Sequence, residues 1–228
     1  MNKNSLINLL PQKSQETLLA NAELVDLTLS QVVCVVDQPT SHVFFPINCF
    51  ISITQSIDHY PPIEVGMIGR EGLLGSEIAL GVVNNPFGGL VQGAGSAWKM
   101  DSHTFAGHLK SNPELKAIIN TYLAVRMNQL GLSAACEHFH EIGPRLAKWL
   151  LMSQDRAQSP TFLMTHEFIS LMLGVRRVGV TTTAADFRRR GLIQYHRGEM
   201  KVLNRVALKA EACSCYLRNR KIYSSLIG

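Results

Sequence analysis

The apolar positions of this chain change their period part-way along it. Over the first hundred residues they fall in short runs of β-branched and aromatic residues: "ELVDLTLSQVVCVV" (23–36), "SHVFFPINCFISIT" (41–54) and "PPIEVGMI" (61–68). Asp, Pro, Ser and Asn bound these runs, as expected of short antiparallel strands. From Ala79 to Trp98 the chain places Gly81, Gly88, Gly89, Gly93 and Gly95 among apolar residues, which suits tight bends rather than a helix. A jelly roll or sandwich is the predicted architecture. Ahead of it, "SLINLLPQKSQETLLANA" (5–22) has helical spacing and predicts one or two short helices.

From Pro113 the pattern becomes helical. Leu115, Ile118, Tyr122, Val125, Leu132, Cys136 and Phe139 fall on heptad a and d positions, with Gln129 the one polar interruption. Ile119, Leu123, Leu130 and Ala134 make a second stripe beside them. A helix with two apolar stripes can pack on its own domain with one and on a partner with the other. A symmetric dimer through Leu115, Ile118, Tyr122, Val125, Gln129 and Leu132 is therefore predicted. Asn112–Pro113 and Gly143–Pro144 bound this helix, because proline fits a first turn and breaks an interior. "PRLAKWLLMSQDR" (144–156) is a further amphipathic helix with Leu146, Trp149 and Leu150 as its core face.

The segment "THEFISLMLGVRRVGVTTTAADFRRRGLI" (165–193) reads as two short helices joined at Gly174. Thr165 can cap the first, and Phe168, Ile169, Met172 and Leu173 form its apolar face. On the second, Val180, Ala184 and Phe187 cluster on one side. Val178, Thr182 and Arg189 point the opposite way, with Thr181, Ala185 and Arg188 beside them and Arg177 on the flank. Three consecutive threonines are poor helix formers, and a face meant for water would carry Glu and Lys instead. A major groove asks for such a face. Thr presents a hydroxyl and a methyl to base edges, and Arg grips guanine bidentately. "GLIQYHRGEMKVLNR" then predicts a hairpin of Leu192–Tyr195 and Glu199–Leu203, a wing that would lay Arg197 and Lys201 along phosphates.

Charge sharpens this picture. Residues 1–140 hold 7 Lys and Arg against 11 Asp and Glu, a net of −4, whereas residues 141–228 hold 15 against 6, a net of +9. A basic back half is suited to a polyanion. The longest apolar runs are too short to span a membrane and no secretory signal is visible, so a cytoplasmic protein with no membrane partner is expected. Catalytic motifs are missing: no Ser/His/Asp set, HExxH, P-loop or paired carboxylates occurs in a supporting context, and an enzyme is not expected. The five cysteines (Cys34, Cys49, Cys136, Cys213, Cys215) are scattered. Cys213 and Cys215 are the only close pair, and with no further ligands beside them in sequence they read as structural, so no metal site is expected.

The roll, the long helix and "LMTHEFISLMLGVRRVGVTTTAADFRRRGLIQYHRGEMKVLNR" (163–205) together resemble the Crp/Fnr family of bacterial transcription regulators. "FFPINCFISI" and "GREGLLGSE" are weaker echoes in the roll. The resemblance implies an α+β chain. Its parts would be a cyclic-nucleotide-binding-like β-roll (1–111), a dimerisation helix (112–143) and a winged helix-turn-helix domain (144–228). It places the main base-reading role on Arg177, with Val178, Thr181 and Thr182 as neighbours, and sets Thr165 and His166 near the DNA backbone. Arg176, Arg188, Arg189 and Arg197 complete the expected contact set. Members commonly follow the reading arginine with a glutamate and place another arginine four residues further on. Val178 and Thr182 stand there instead, so the operator should differ from that of the cyclic-AMP receptor.

The roll departs further. Where cyclic-nucleotide-binding members place a carboxylate for the ribose, this chain has Ser76, with Glu77 one step off, and no Lys or Arg lies between Arg70 and Lys99. A buried phosphate without a cation is costly. Cyclic AMP and cyclic GMP are therefore not expected, and Gly75, Ser76, Glu77, Gly88 and Gly89 are candidates for a pocket taking an unidentified effector. No cysteine precedes Cys34, so the family's N-terminal iron–sulfur cluster is not expected, nor is haem at His42, His59 or His103. The expected partners are double-stranded DNA, a second copy of the chain and RNA polymerase. The alternative reading is a dimeric signalling adaptor whose roll and winged helix bind proteins.

Overall fold

The computed structural model describes residues 4–227. Asn4 starts the fold. Its side-chain oxygen accepts hydrogen bonds from the N–H groups of Leu6 and Ile7, capping helix α1 (Ser5–Asn8). Its amide donates to the carbonyls of Pro46 and Gly72 at 2.9 Å each, which ties the leading helix to the roll. Helix α2 (Gln12–Leu19) follows, as the helical spacing of 5–22 predicts.

The strand runs behave as predicted. They form β1 (Glu23–Leu27), β2 (Val32–Cys34), β3 (His42–Pro46), β4 (Phe50–Gln55), β5 (Ile63–Ile68), β6 (Gly88–Gly93) and β7 (Gly95–Asp101). One sheet runs β1-β7-β3 and the other β2-β6-β4-β5, with a 3-10 turn over Ser76–Leu80 between β5 and β6. Strand β4 is buried from Phe50 to Thr54, so its burial does not alternate along the strand. Gly95 allows the strand pair to turn, because a Cβ there would meet the backbone of Asn48 and Cys49. Helix α3 (Ser102–Ser111) was not anticipated from the apolar pattern. It is announced by Asp101, whose carboxylate accepts from the N–H groups of His103 and Thr104.

Helix α4 (Pro113–Phe139) is the long helix, and here the structure corrects the sequence reading. Leu115, Tyr122, Ile119 and Leu123 join Leu6, Ile7, Phe45, Leu73, Met100 and Phe105 in one core, and Ile118 packs against its edge. Val125 is fully buried too, and Leu132 packs on a second cluster around Cys136. Of the six residues assigned to a dimer interface, Leu115, Tyr122 and Val125 are thus buried inside the chain, Ile118 and Leu132 pack against its cores, and Gln129 is half-buried. The cause is physical. The roll and the leading helices cover both apolar stripes of the first half of α4, so neither stripe there is left for a partner. The exposed line of α4 runs instead through Ala117, Asn120, Met127, Gly131 and Ala134, with Met127 71% exposed.

The chain divides into two compact units. One contains the roll, α1–α3, the first part of α4 to Asn128 and the terminal turn from Tyr223. The other contains residues 54–66 and Gln129–Ile222. The long helix is therefore shared between the units rather than standing as a third piece. In the second unit, α5 (Ile142–Ala157) buries Leu146, Trp149 and Leu150, as its amphipathic pattern predicts. The Trp149 indole N–H donates to the carboxylate of Glu64 at 2.9 Å, satisfying a polar atom on each side of a buried contact. Strands β8 (Thr161–Leu163), β9 (Ile193–His196) and β10 (Glu199–Val202) and helices α6 (His166–Met172), α7 (Arg177–Arg189), α8 (Arg205–Glu211) and α9 (Cys215–Leu226) complete it. No helix among the described residues is long and apolar enough to cross a membrane.

Candidate nucleic-acid interface

Helix α6 begins where the sequence places it. The Thr165 hydroxyl oxygen accepts from the Phe168 N–H at 3.1 Å, a side-chain cap worth about 1 kcal/mol. Gly174 then turns the chain at φ +61°, a left-handed conformation that glycine adopts at little cost. The turn is braced from behind. Buried Arg145 on α5 donates to the Leu173 carbonyl at 2.5 Å and pairs with Glu137, whose carboxyl burial pushes up while Arg145 pulls it down. Helix α7 lies close on α5, since a Cβ at Gly179 would come within 2.7 Å of the Ile142 side chain.

With α7 held this way, Val180, Ala184 and Phe187 are buried, as predicted. Arg177, Val178, Thr181, Thr182, Ala185, Arg188 and Arg189 are exposed, and Val178 reaches 68%. The structure thus brings the predicted reading set onto one open face. Arg176, at the helix cap, makes no side-chain hydrogen bond to the first turn. The Gly179 N–H donates to the Arg176 carbonyl at 3.0 Å, and no side chain caps the N–H groups ahead of it at the positive end of this 13-residue helix.

The arginines differ in how free they are. Arg177 lies 3.9 Å from Glu167, an exposed and therefore weak pair. Arg189 is paired with Asp186, which also accepts from Arg190 at 3.2 Å; these bonds hold the Asp186 carboxyl below its ordinary range. Arg190 reaches on to Glu211. Arg176, Arg188 and Arg197 have no ion pair among the described residues. Arg188 is then better placed than Arg189 to meet a phosphate, a distinction the sequence did not draw because Asp186 is only visible as a partner once α7 is built.

His166 is the first residue of α6, at the helix N-terminus where the sequence reading puts it. It is half-buried, its ring stacks on Tyr195 of β9 at 4.2 Å between centroids and 21° between planes, and its Nδ1 lies 3.3 Å from the Thr181 hydroxyl. Burial first, and the nearby Arg177 charge second, lower its pKa below 6.5. It is a strut joining α6, α7 and the wing, and it fixes the Thr181 rotamer on the exposed face. Thr165 is exposed beside it.

The wing forms as predicted around "HRG". His196 pairs with Glu199, so Arg197 and Gly198 make a two-residue turn with φ +47° and +84°. Positive φ at both positions is the hairpin turn that matches strand twist and favours Asn-Gly. An arginine in the first position is held at a cost, and its exposed side chain stands at the tip. Strand β8, which was not anticipated, pairs with β10 and makes the wing a three-stranded sheet in the order β8-β10-β9. Lys201 is exposed on β10.

The candidate effector residues lie in the other unit. Gly75 (φ +88°) packs on Val43, and a Cβ at Gly89 would come within 2.7 Å of Cys34 Sγ. Gly75, Ser76, Gly88 and Gly89 are buried and Glu77 is half-buried. Glu77 stands near enough to Cys34 to add to the burial that pushes this thiol up to about 12. Two of these glycines thus serve close packing.

With this geometry in hand the likeness to known proteins takes shape. The family model of the Crp-like helix-turn-helix domain matches residues 144–211. No curated protein matches the sequence. Among solved structures, a Crp/Fnr-family transcriptional regulator from Eubacterium rectale aligns with 92% of this chain and 98% of its own at 15% identity and a TM-score of 0.70. FixK2 from Bradyrhizobium japonicum aligns with 85% of this chain and 98% of its own at 12% identity and a TM-score of 0.71. A CRP-family transcriptional regulator from Thermus thermophilus aligns with 82% of this chain and 96% of its own at 16% identity and a TM-score of 0.69. Residues 144–211 therefore belong to the Crp-like helix-turn-helix domains, carried on a chain with the Crp/Fnr fold.

Proposed function

We propose that the protein is a homodimeric, sequence-specific DNA-binding transcription regulator that reads a two-fold repeated operator with α7. The observation that carries this reading is the exposed face of Arg177, Val178, Thr181, Thr182 and Arg188, which is uncharged at its centre and edged by arginine. Short side chains let the helix approach base edges, and Arg177 at its start is the residue for a bidentate contact to guanine. The Arg197 tip and Lys201 flank it as phosphate contacts. Dimerisation is assigned to the exposed line of α4 through Ala117, Met127, Gly131 and Ala134, in place of the apolar stripe already buried. The roll is assigned no cyclic nucleotide. No Lys or Arg lies between Arg70 and Lys99, and a Cβ at Gly75 or Gly89 would run into the side chains of Val43 or Cys34.

Titrating affinity for a duplex against salt tests the DNA reading. Each phosphate contact should contribute about 0.9 to the slope of log affinity on log salt, and Arg197→Ala should flatten it by about 1 while weakening all sequences alike. A binding constant indifferent to both salt and sequence would instead favour a protein-binding adaptor.

A further inference from the structure

Three cysteines and a histidine from two distant stretches of chain meet at the end of α4. Cys136 and His140 are four residues apart there, and the His140 N–H still donates to the Cys136 carbonyl at 3.1 Å, which puts both side chains on one side of the helix. Cys213 and Cys215 flank Ser214 in the turn between α8 and α9, where the Cys213 N–H donates to the Pro144 carbonyl. The Sγ atoms of Cys136 and Cys213 are 3.6 Å apart, and Cys215 Sγ is 3.7 Å from His140 Nδ1. All four donor atoms lie within 4.8 Å of one another. The three cysteines are buried and Leu132 packs over them.

A zinc ion held at about 2.3 Å by sulfur and about 2.0 Å by nitrogen separates neighbouring donors by about 3.5 to 3.8 Å. The Cys136–Cys213 and Cys215–His140 separations already have that value. We propose that Cys136, His140, Cys213 and Cys215 form a closed Cys3His zinc site that fastens the end of α4 to the turn behind the helix-turn-helix. Four protein donors leave no open position, which makes the site structural rather than catalytic. Charge supports it. A zinc ion with three thiolates and a neutral imidazole carries −1, and Lys148, whose Nζ lies 3.1 Å from Cys136 Sγ, neutralises it and supplies the outer hydrogen bond such sites require. The protons of the three thiols pass to solvent as the ion binds. The sequence conceals this site because Cys-x3-His and Cys-x-Cys are separated by more than seventy residues; only the fold joins them.

Cobalt(II) alone, added to the reduced full-length protein, tests the site, and this test does not depend on how α7 is read. One ion per chain is expected, with the strong visible absorption of tetrahedral cobalt and thiolate charge transfer in the near ultraviolet, both displaced by zinc. Cys215→Ser and His140→Ala should lose this spectrum, and Cys49→Ser in the roll should keep it. Lys148→Met should keep the spectrum and weaken affinity about 10- to 100-fold. Far-ultraviolet circular dichroism identifies the folded variants. Folded, reduced protein that takes up no cobalt, or a Cys213–Cys215 double serine variant that binds it as the parent does, overturns the proposal. So does a Cys136–Cys213 disulfide that forms equally in the presence and absence of zinc.

Discussion

Arg177 and Arg197 occupy unlike positions, and the difference sets what their loss should do. Arg177 stands exposed at the start of α7, in a long pair with Glu167. Arg177→Ala should cost about 1–3 kcal/mol of specific binding and relax preference at one base position per half-site, which affinity measurements on single-base variants of the operator would reveal. Arg197 is held at φ +47°, where asparagine is favoured. Arg197→Asn should therefore stabilise the fold by about 0.5–1 kcal/mol in denaturant unfolding while weakening every DNA sequence evenly. Opposite signs for stability and binding would mark a residue kept for contact rather than for the turn. His166 carries a pH prediction. Its folded pKa lies below 6.5, so the unfolded chain binds the proton more readily, and the strut's contribution is present above 6.5 and lost as pH falls through that window. Histidine NMR titration should place His166 below 6.5, and Arg177→Ala should raise it.

Among the helices, α4 shows where reading a pattern succeeds and where it stops. Its start at Pro113 follows from proline, but it ends at Phe139, ahead of Gly143–Pro144, which lie in the first turn of α5; both apolar stripes are buried over its first half. What the pattern does not encode is which neighbour covers a stripe. Leading helices α1 and α2 and the roll supply that cover, so Tyr122 is 3% exposed and its hydroxyl is pushed up to about 12, chiefly by burial. Tyr122→Ala should destabilise the chain by about 3–5 kcal/mol in denaturant unfolding. Met127→Glu should leave stability within about 0.5 kcal/mol and shift sedimentation toward monomer. A Met127→Glu protein that stays fully dimeric would place the interface elsewhere. Helices α3 and α8 escaped the periodicity because each is under three turns and is marked chiefly by its caps, Asp101 and Asn204.

The division of charge, −4 ahead of residue 141 and +9 behind it, matches the division of labour between a roll and a basic helix-turn-helix unit. Most of the candidate interface was legible because α7 breaks a local rule, with three threonines in a helix, in the region where the fold leaves it bare. The Asp186 pairing, the His166 strut and the convergence of Cys136, His140, Cys213 and Cys215 were not legible. Each depends on side chains brought together by tertiary packing. The most direct measurement is selection of binding sites from random duplex DNA by the purified protein. Recovery of one motif repeated about a two-fold axis, lost on Arg177→Ala, is the predicted result; a pool that stays random while the folded protein is present throughout would contradict α7 as a reader of sequence.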